Sequence, residues 1–196
     1  MKIVQAGELV LRQQARELSR HEILGAETQQ LIEHMRDTMR DAPGVGLAAP
    51  QIGVSLQLAV IEDRQEYHGK LSAAQLAERQ RQPIPFHVII NPRLVSTAEA
   101  SVEFFEGCLS MTGYAAVVPR KSAVTVECLN ERAEPQRMEA TGWYARILQH
   151  EIDHLRGVLY TDRMLARTLA TLENLERIWK DVPTVEVRAK LGIELA

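Results

Sequence analysis

Apolar and polar positions along this chain follow two different periods. Over residues 28–41 the apolar side chains Leu31, Ile32, Met35 and Met39 recur at helical spacing, and Pro43 with Gly44 ends the pattern. A second helical stretch covers 143–156, with Thr141 placed to cap its start and Gly157 to close it. Leu165, Leu169, Leu172, Leu175 and Trp179 predict a last helix, opened by Asp162 and followed by Pro183. Between the helices, residues 56–61, 87–92, 102–105, 117–118 and 122–129 read as short strands, the second cut off at Pro92. Residues 44–51 read as a glycine-rich loop, 63–82 as a polar, exposed excursion and 181–196 as a tail. This order predicts an α+β fold, in which short, largely antiparallel strands pack around a central helix and a C-terminal helix follows.

The 196 residues fit one domain over 1–196, with 45% hydrophobic and 25% charged residues, ordinary values for a globular chain. A formal charge of −3 gives no pull toward DNA or an anionic membrane. No run of apolar residues is long enough to span a bilayer, and the first residues lack the apolar segment of a signal peptide. Two cysteines, Cys108 and Cys128, do not make a disulfide framework; reduced thiols or metal ligands are expected, in a cytoplasmic protein.

The helix at 143–156 carries the chemistry. His150 and His154 lie four apart on one face, where both imidazoles reach one metal ion, and Glu151 stands beside them as a base that is not a ligand. Leu148, Ile152 and Leu155 form an apolar stripe, while Trp143 and Ile147 continue the histidine face. Arg146, Gln149, Asp153 and Arg156 form a polar stripe. A third ligand is needed. A metzincin would place a histidine at position 160, which is Tyr160; a thermolysin-like zincin would use an acid further on, and Glu173 or Glu176 fits that spacing. Cys108, in the turn over 106–110, instead completes a Cys/His/His set with one coordination position open for water. The stretch 44–51 lacks the third glycine of a dinucleotide loop and the Lys-Ser/Thr of a phosphate loop. It offers backbone that a substrate can approach closely, and the amide of Gln51. Cys128 falls in a strand pattern and is expected to pack in the core; His21, His34, His68 and His87 have no metal-like spacing.

Together, the segments 44–51, 106–110 and 149–157 resemble the peptide deformylase family, whose pattern is Gly-x-Gly-x-Ala-Ala-x-Gln, Glu-Gly-Cys-Leu-Ser and Gln-His-Glu-x-Asp-His-Leu-x-Gly. Ile90-Asn91-Pro92 and Val118-Pro119-Arg120 also look like the family. The resemblance implies an enzyme that removes the formyl group from N-terminal formyl-methionine of new polypeptides, releasing formate. It implies that Cys108, His150 and His154 bind the metal and that Glu151 serves as general base, then general acid. Gln51 and the backbone N–H of Leu109 would face the oxyanion, and the Gly46 backbone would hold the formamide end. Val45, Phe104, Trp143 and Ile147 are candidates for the apolar slot that takes the methionine side chain. The family metal is Fe2+, with Zn2+, Ni2+ or Co2+ able to replace it. The partners implied are N-formylmethionyl peptides and the ribosome exit region where they emerge, although the C-terminal segment mixes basic and acidic residues and forms no basic arm. Two positions depart from the pattern: Ala115 stands where many members carry arginine, and Pro43 where many carry an acid.

Overall fold

In the computed structural model, which describes residues 1–193, two antiparallel sheets flank the helix that carries the paired histidines. The chain begins with α1 (Arg20–Leu24), opened by a capping box between Ser19 and Glu22, and α2 (Ala26–Asp41). Then follow β1 (Gly46–Ala48), β2 (Leu58–Asp63), α3 (Ala73–Glu78) and β3 (Ile84–Thr97). The middle of the chain forms β4 (Ser101–Gly107), β5 (Tyr114–Lys121), β6 (Ala123–Leu129) and β7 (Pro135–Thr141). After α4 (Gly142–Leu155) come β8 (Ala170–Thr171), α5 (Leu172–Asn174), which runs on as a wider helical turn to Trp179, and α6 (Thr184–Lys190). One sheet has the order β1-β2-β3-β6-β7, the other β4-β5-β8.

The inner strands of the larger sheet are apolar on both faces, and their alternation divides the core in two. Leu58, Val60, Val88 and Ile90 pack against Met35 and Met39 of α2. Ala59, Ile61 and Ile89 face the other way, against Leu148 and Ile152 of α4. Helix α4 thus lies on the sheet with its apolar stripe down and turns its other faces toward the smaller sheet.

Four expectations are corrected. Residues 46–48 of the glycine-rich stretch form an edge strand, paired with β2 from Gly46↔Ile61 to Ala48↔Ala59. Pro92 does not end its strand: β3 continues to Thr97, because the register against β6 shifts between Ile90 and Arg93, and Asn91 takes φ +50° at the irregularity. The leucines at 165–175 do not build one helix. The Thr168 hydroxyl accepts from the Val117 N–H (2.8 Å), and Ala170 and Thr171 pair with β5, so the chain runs along the smaller sheet before it coils. The expected tail folds as α6, burying Val187. The excursion over 63–82 carries α3 and is anchored near both ends, since Arg81 forms two hydrogen bonds to the buried carboxylate of Asp63 (2.7 and 2.9 Å).

Candidate metal centre

Three elements deliver three donor atoms to one point. His150 and His154 project from successive turns of α4, with Nε2 atoms 3.1 Å apart. The turn between β4 and β5 brings Cys108, whose Sγ lies 3.2 Å from Nε2 of His154. Among the described residues, these three form the group able to hold a metal ion, all donor atoms lying within 4.8 Å of one another. A tetrahedral site of imidazoles and thiolate has donor–donor edges of roughly 3.3–3.7 Å, so the closest pairs fit an ion with little adjustment. Glu173 and Glu176, the alternative third ligands, are exposed and outside this group.

The turn is held in place by the glycine-rich stretch. Gln51 is buried; its Oε1 accepts from the Ala48 N–H (2.8 Å), which points its Nε2 at Cys108 Sγ and Ser110 Oγ, both at 3.4 Å. Gly157, at φ +73°, ends α4 in the conformation glycine takes most readily. Gly46 is glycine for a different reason. A side chain there would strike the carboxyl group of Glu151, so β1 packs its backbone directly on the candidate base. Glu151 is buried, its Oε2 has no protein partner, and burial pushes its pKa up to about 7.

Behind the histidines lies a buried ion-pair network. Glu106 accepts from His150 Nδ1 (2.6 Å), from Arg120 (2.6 and 3.1 Å) and from Arg146 (2.9 Å). Arg120 also pairs with Asp153, whose two oxygens take the fork of Arg163 at 2.6 and 2.7 Å. Arg146 also donates to the carbonyls of Val118 and Val102, while its Nε is buried without a partner. The polar stripe of α4 is therefore mostly not solvated: Arg146, Gln149 and Asp153 are buried, and of its four members only Arg156 is exposed. Burial alone would raise the Glu106 carboxyl, but His150 and Arg120 outweigh it and hold it well below the usual range. Burial would likewise lower His150, and Glu106 with Cys108 reverses this, whereas His154 is driven down by burial and by His150. With Nδ1 of His150 against Glu106, the nitrogen that faces Cys108 and His154 is Nε2, and release of its proton, which metal binding requires, frees its lone pair toward them.

A cavity of about 400 Å³ opens onto this centre. Val45, Gly46, Gln51, Leu109, Trp143 and Ile147 line it. Phe104 does not. Its neighbour Phe105 faces the cavity, because successive strand residues point to opposite sides, and Phe104 packs edge-on against Trp143 (6.3 Å between centroids). Sequence reasoning also assigned no role to Glu106, Arg120, Arg146 or Leu172; the signal for the first lay in its place two residues before Cys108. Cys128 packs in the core as expected, its thiol raised to about 11 by burial.

A family model described as polypeptide deformylase matches residues 1–169. The chain is 44% identical over 191 residues to peptide deformylase 1A, chloroplastic, of Solanum lycopersicum, covering 97% of this chain and 67% of that protein. It is 45% identical over 200 residues to a peptide deformylase of Bifidobacterium adolescentis, covering 100% of this chain and 87% of the other. Among solved structures, the Met-Ala-Ser-bound class I type b peptide deformylase of Acinetobacter baumannii superposes with a TM-score of 0.75 at 29% identity, over 84% of this chain and 98% of that one.

Proposed function

The chain belongs to the polypeptide deformylase family and removes the formyl group from new polypeptides; we propose how its own residues divide that reaction. Cys108, His150 and His154 hold the metal, and the convergence of their donor atoms beside the buried Glu151 is the observation that carries this reading. When bound, the metal supplies Lewis acidity that makes water nucleophilic near neutral pH. The Glu151 carboxylate takes the proton that water loses and delivers it to the leaving amine. A carboxyl whose burial brings it to about 7 is suited to both roles. The C–N bond of the formamide breaks, hydroxyl ends on the formyl carbon, and the products are formate and a free N-terminal amine. Charge on the formyl oxygen meets the Nε2 of Gln51, already oriented by Ala48, and the N–H of Leu109.

The backbone of Gly46 holds the formamide end, and Val45, Trp143 and Ile147, with Phe105 in the place expected of Phe104, receive the methionine side chain. The bound peptide of the Acinetobacter structure, which begins with methionine, supports this placement. Iron is the proposed ion, from the family resemblance; thiolate and imidazole suit zinc, nickel and cobalt as well. Newly made formylmethionyl chains at the ribosome exit, in the cytoplasm, are the proposed substrate source. Among the described residues no helix is long and apolar enough to cross a membrane.

The test is formate release from formyl-Met-Ala-Ser with and without a chelator, beside elemental analysis of Cys108→Ser. Activity that survives complete metal removal, or undiminished metal in the variant, contradicts the assignment.

A further inference from the structure

The two donors proposed for the oxyanion come from distant parts of the chain, Gln51 from the stretch after β1 and the Leu109 N–H from the turn between β4 and β5. Direct polar contacts between these parts are long: the Gln51 amide stands 3.4 Å from both Cys108 Sγ and Ser110 Oγ. The first residues of the chain bridge them more closely. The Val4 N–H donates to the Gln51 carbonyl (2.9 Å), and the Ala6 N–H to the Ser110 carbonyl (2.8 Å). Between the two, the side chain of Gln5 meets the turn twice. Its Nε2 donates to the Leu109 carbonyl (3.0 Å), and its Oε1 accepts from the Thr112 N–H (3.2 Å).

The turn closes on itself through one backbone bond, from the Met111 N–H to the Cys108 carbonyl (3.0 Å). Among the described residues the Leu109 carbonyl and the Thr112 N–H have no backbone partner, and the Gln5 carboxamide takes both. The peptide unit that carries the Leu109 carbonyl also carries the Ser110 N–H, which donates to Cys108 Sγ (3.4 Å). Gln5, this peptide unit and the sulfur therefore form one chain of hydrogen bonds. Donation to a carbonyl polarises the amide behind it and strengthens its N–H as a donor. The Leu109 N–H belongs to the preceding peptide unit, hinged to this one at a shared Cα, so fixing one plane restricts the other.

We propose that Gln5 is a positioning residue for deformylation: through the Leu109–Ser110 peptide it aims the Leu109 N–H and holds the Ser110 N–H on the Cys108 sulfur. The inference rests on the deformylase reading and adds to it a side chain that does not line the cavity. Gln5 is exposed, so water competes for its bonds and the carboxamide contributes direction more than stability.

The experiment compares Gln5→Ala, Gln5→Glu and Val4→Ala with the parent enzyme. Gln5→Glu keeps an acceptor for Thr112 but has no N–H for Leu109, and Val4→Ala loosens the same segment while leaving the carboxamide in place. Both Gln5 variants should lower kcat for formate release about two- to tenfold, the worth of one hydrogen bond, with KM and melting temperature nearly unchanged. In the cobalt-loaded protein their thiolate-to-metal charge-transfer band should move to lower energy, because a sulfur facing a weaker N–H donor gives up its electrons more readily. Val4→Ala should lower the melting temperature and leave kcat and the band at parental values. Parental kcat and band in both Gln5 variants overturn the proposal. So does a loss in Gln5→Ala that is absent from Gln5→Glu, which assigns the effect to Thr112, or an equal loss in Val4→Ala, which assigns it to packing. Each of these results leaves the deformylase reading standing, whereas no formate from the parent enzyme overturns both.

Discussion

Replacing Gly46 by alanine measures how closely the edge strand is built against the base. A Cβ on Gly46 would stand 2.6 Å from Cδ and 2.9 Å from Cγ of Glu151, and closer still to its Oε1. Comfortable carbon–carbon separation is about 3.5–4.0 Å, so one partner must retreat by about 1 Å. Gly46 is buried and paired in register with Ile61, and its φ lies outside the left-handed region, so alanine strains no torsion there and the strand has little room to move. Glu151 is the part that gives way. Misplacing a catalytic group by about 1 Å costs about 10²-fold in rate, against about 10²–10⁴-fold for losing a general base altogether. The same crowding destabilises the fold by about 1–3 kcal/mol. Metal content stays at the parental level, since no donor atom is touched. The assay is kcat/KM by formate release for Gly46→Ala, Glu151→Ala and the double variant, with elemental analysis and melting curves for each. Because the alanine acts through Glu151, the double variant should be no slower than Glu151→Ala alone. Losses that multiply would refute the reasoning and show that Gly46 acts through its own backbone, independently of the base.

Glu106→Ala removes both the acceptor of His150 Nδ1 and the charge shared by Arg120 and Arg146; breaking such a buried pair costs about 3–5 kcal/mol, and losing the partner of a ligand histidine costs about 10–100-fold in metal affinity. Urea unfolding and chelator competition read the two effects, and unchanged metal retention would mean that α4 alone orients His150. The iron-loaded enzyme should lose activity in air while nickel- and zinc-loaded forms persist, because a redox-active ion and the Cys108 thiolate are then in contact; equal decay for all three metals contradicts this. Ala115 is 2% exposed and sits between Gly107 and Ala170 in the smaller sheet, so Ala115→Arg alone should lower the melting temperature with no gain in kcat/KM, and Pro43→Glu in the same chain should offset part of that loss. A large gain from the single variant would show that the arginine position has another role.

The donor set was legible in the sequence because each part of it is local. Two imidazoles meet on one helix face only at spacing of three or four, and the thiolate lies within a short turn, so residue type and spacing carry the chemistry. The network behind it is not local. Glu106, Arg120, Arg146 and Asp153 come from β4, β5 and α4, and a charged residue at helical spacing looks the same whether water or an opposite charge faces it. The choice between Phe104 and Phe105 had the same character: alternation says that they face opposite ways, and only the placement of β4 says which of them meets the cavity. β7 was missed for a related reason, since Pro135, Gln136, Arg137 and Glu139 are exposed on an edge strand and only Met138 and Ala140 turn an apolar side chain to the core, too short an alternation to read.

The misread last helix shows what hydrophobic periodicity measures. Leu165, Leu169 and Leu172 recur at helical spacing, and a helix through them would need a surface on which to bury that face. No such surface takes them: Leu169 is 44% exposed and Leu172 49%. The backbone finds better partners, with the hydroxyl of Thr168 satisfying the N–H of Val117 and the next two residues pairing with Tyr114 and Ala115. Ala115 matters to that pairing. Where the family pattern carries arginine, a small buried side chain lies directly opposite Ala170, so the departure at 115 and the strand at 170–171 are two sides of one contact. A long guanidinium stem at 115 would rise from the same face of the sheet as the Ala170 side chain, into space that is already closed around Ala115. The small residue at 115 and the strand at 170–171 therefore fit one another through packing, and of the leucines whose periodicity suggested a helix, Leu172 borders the cavity instead.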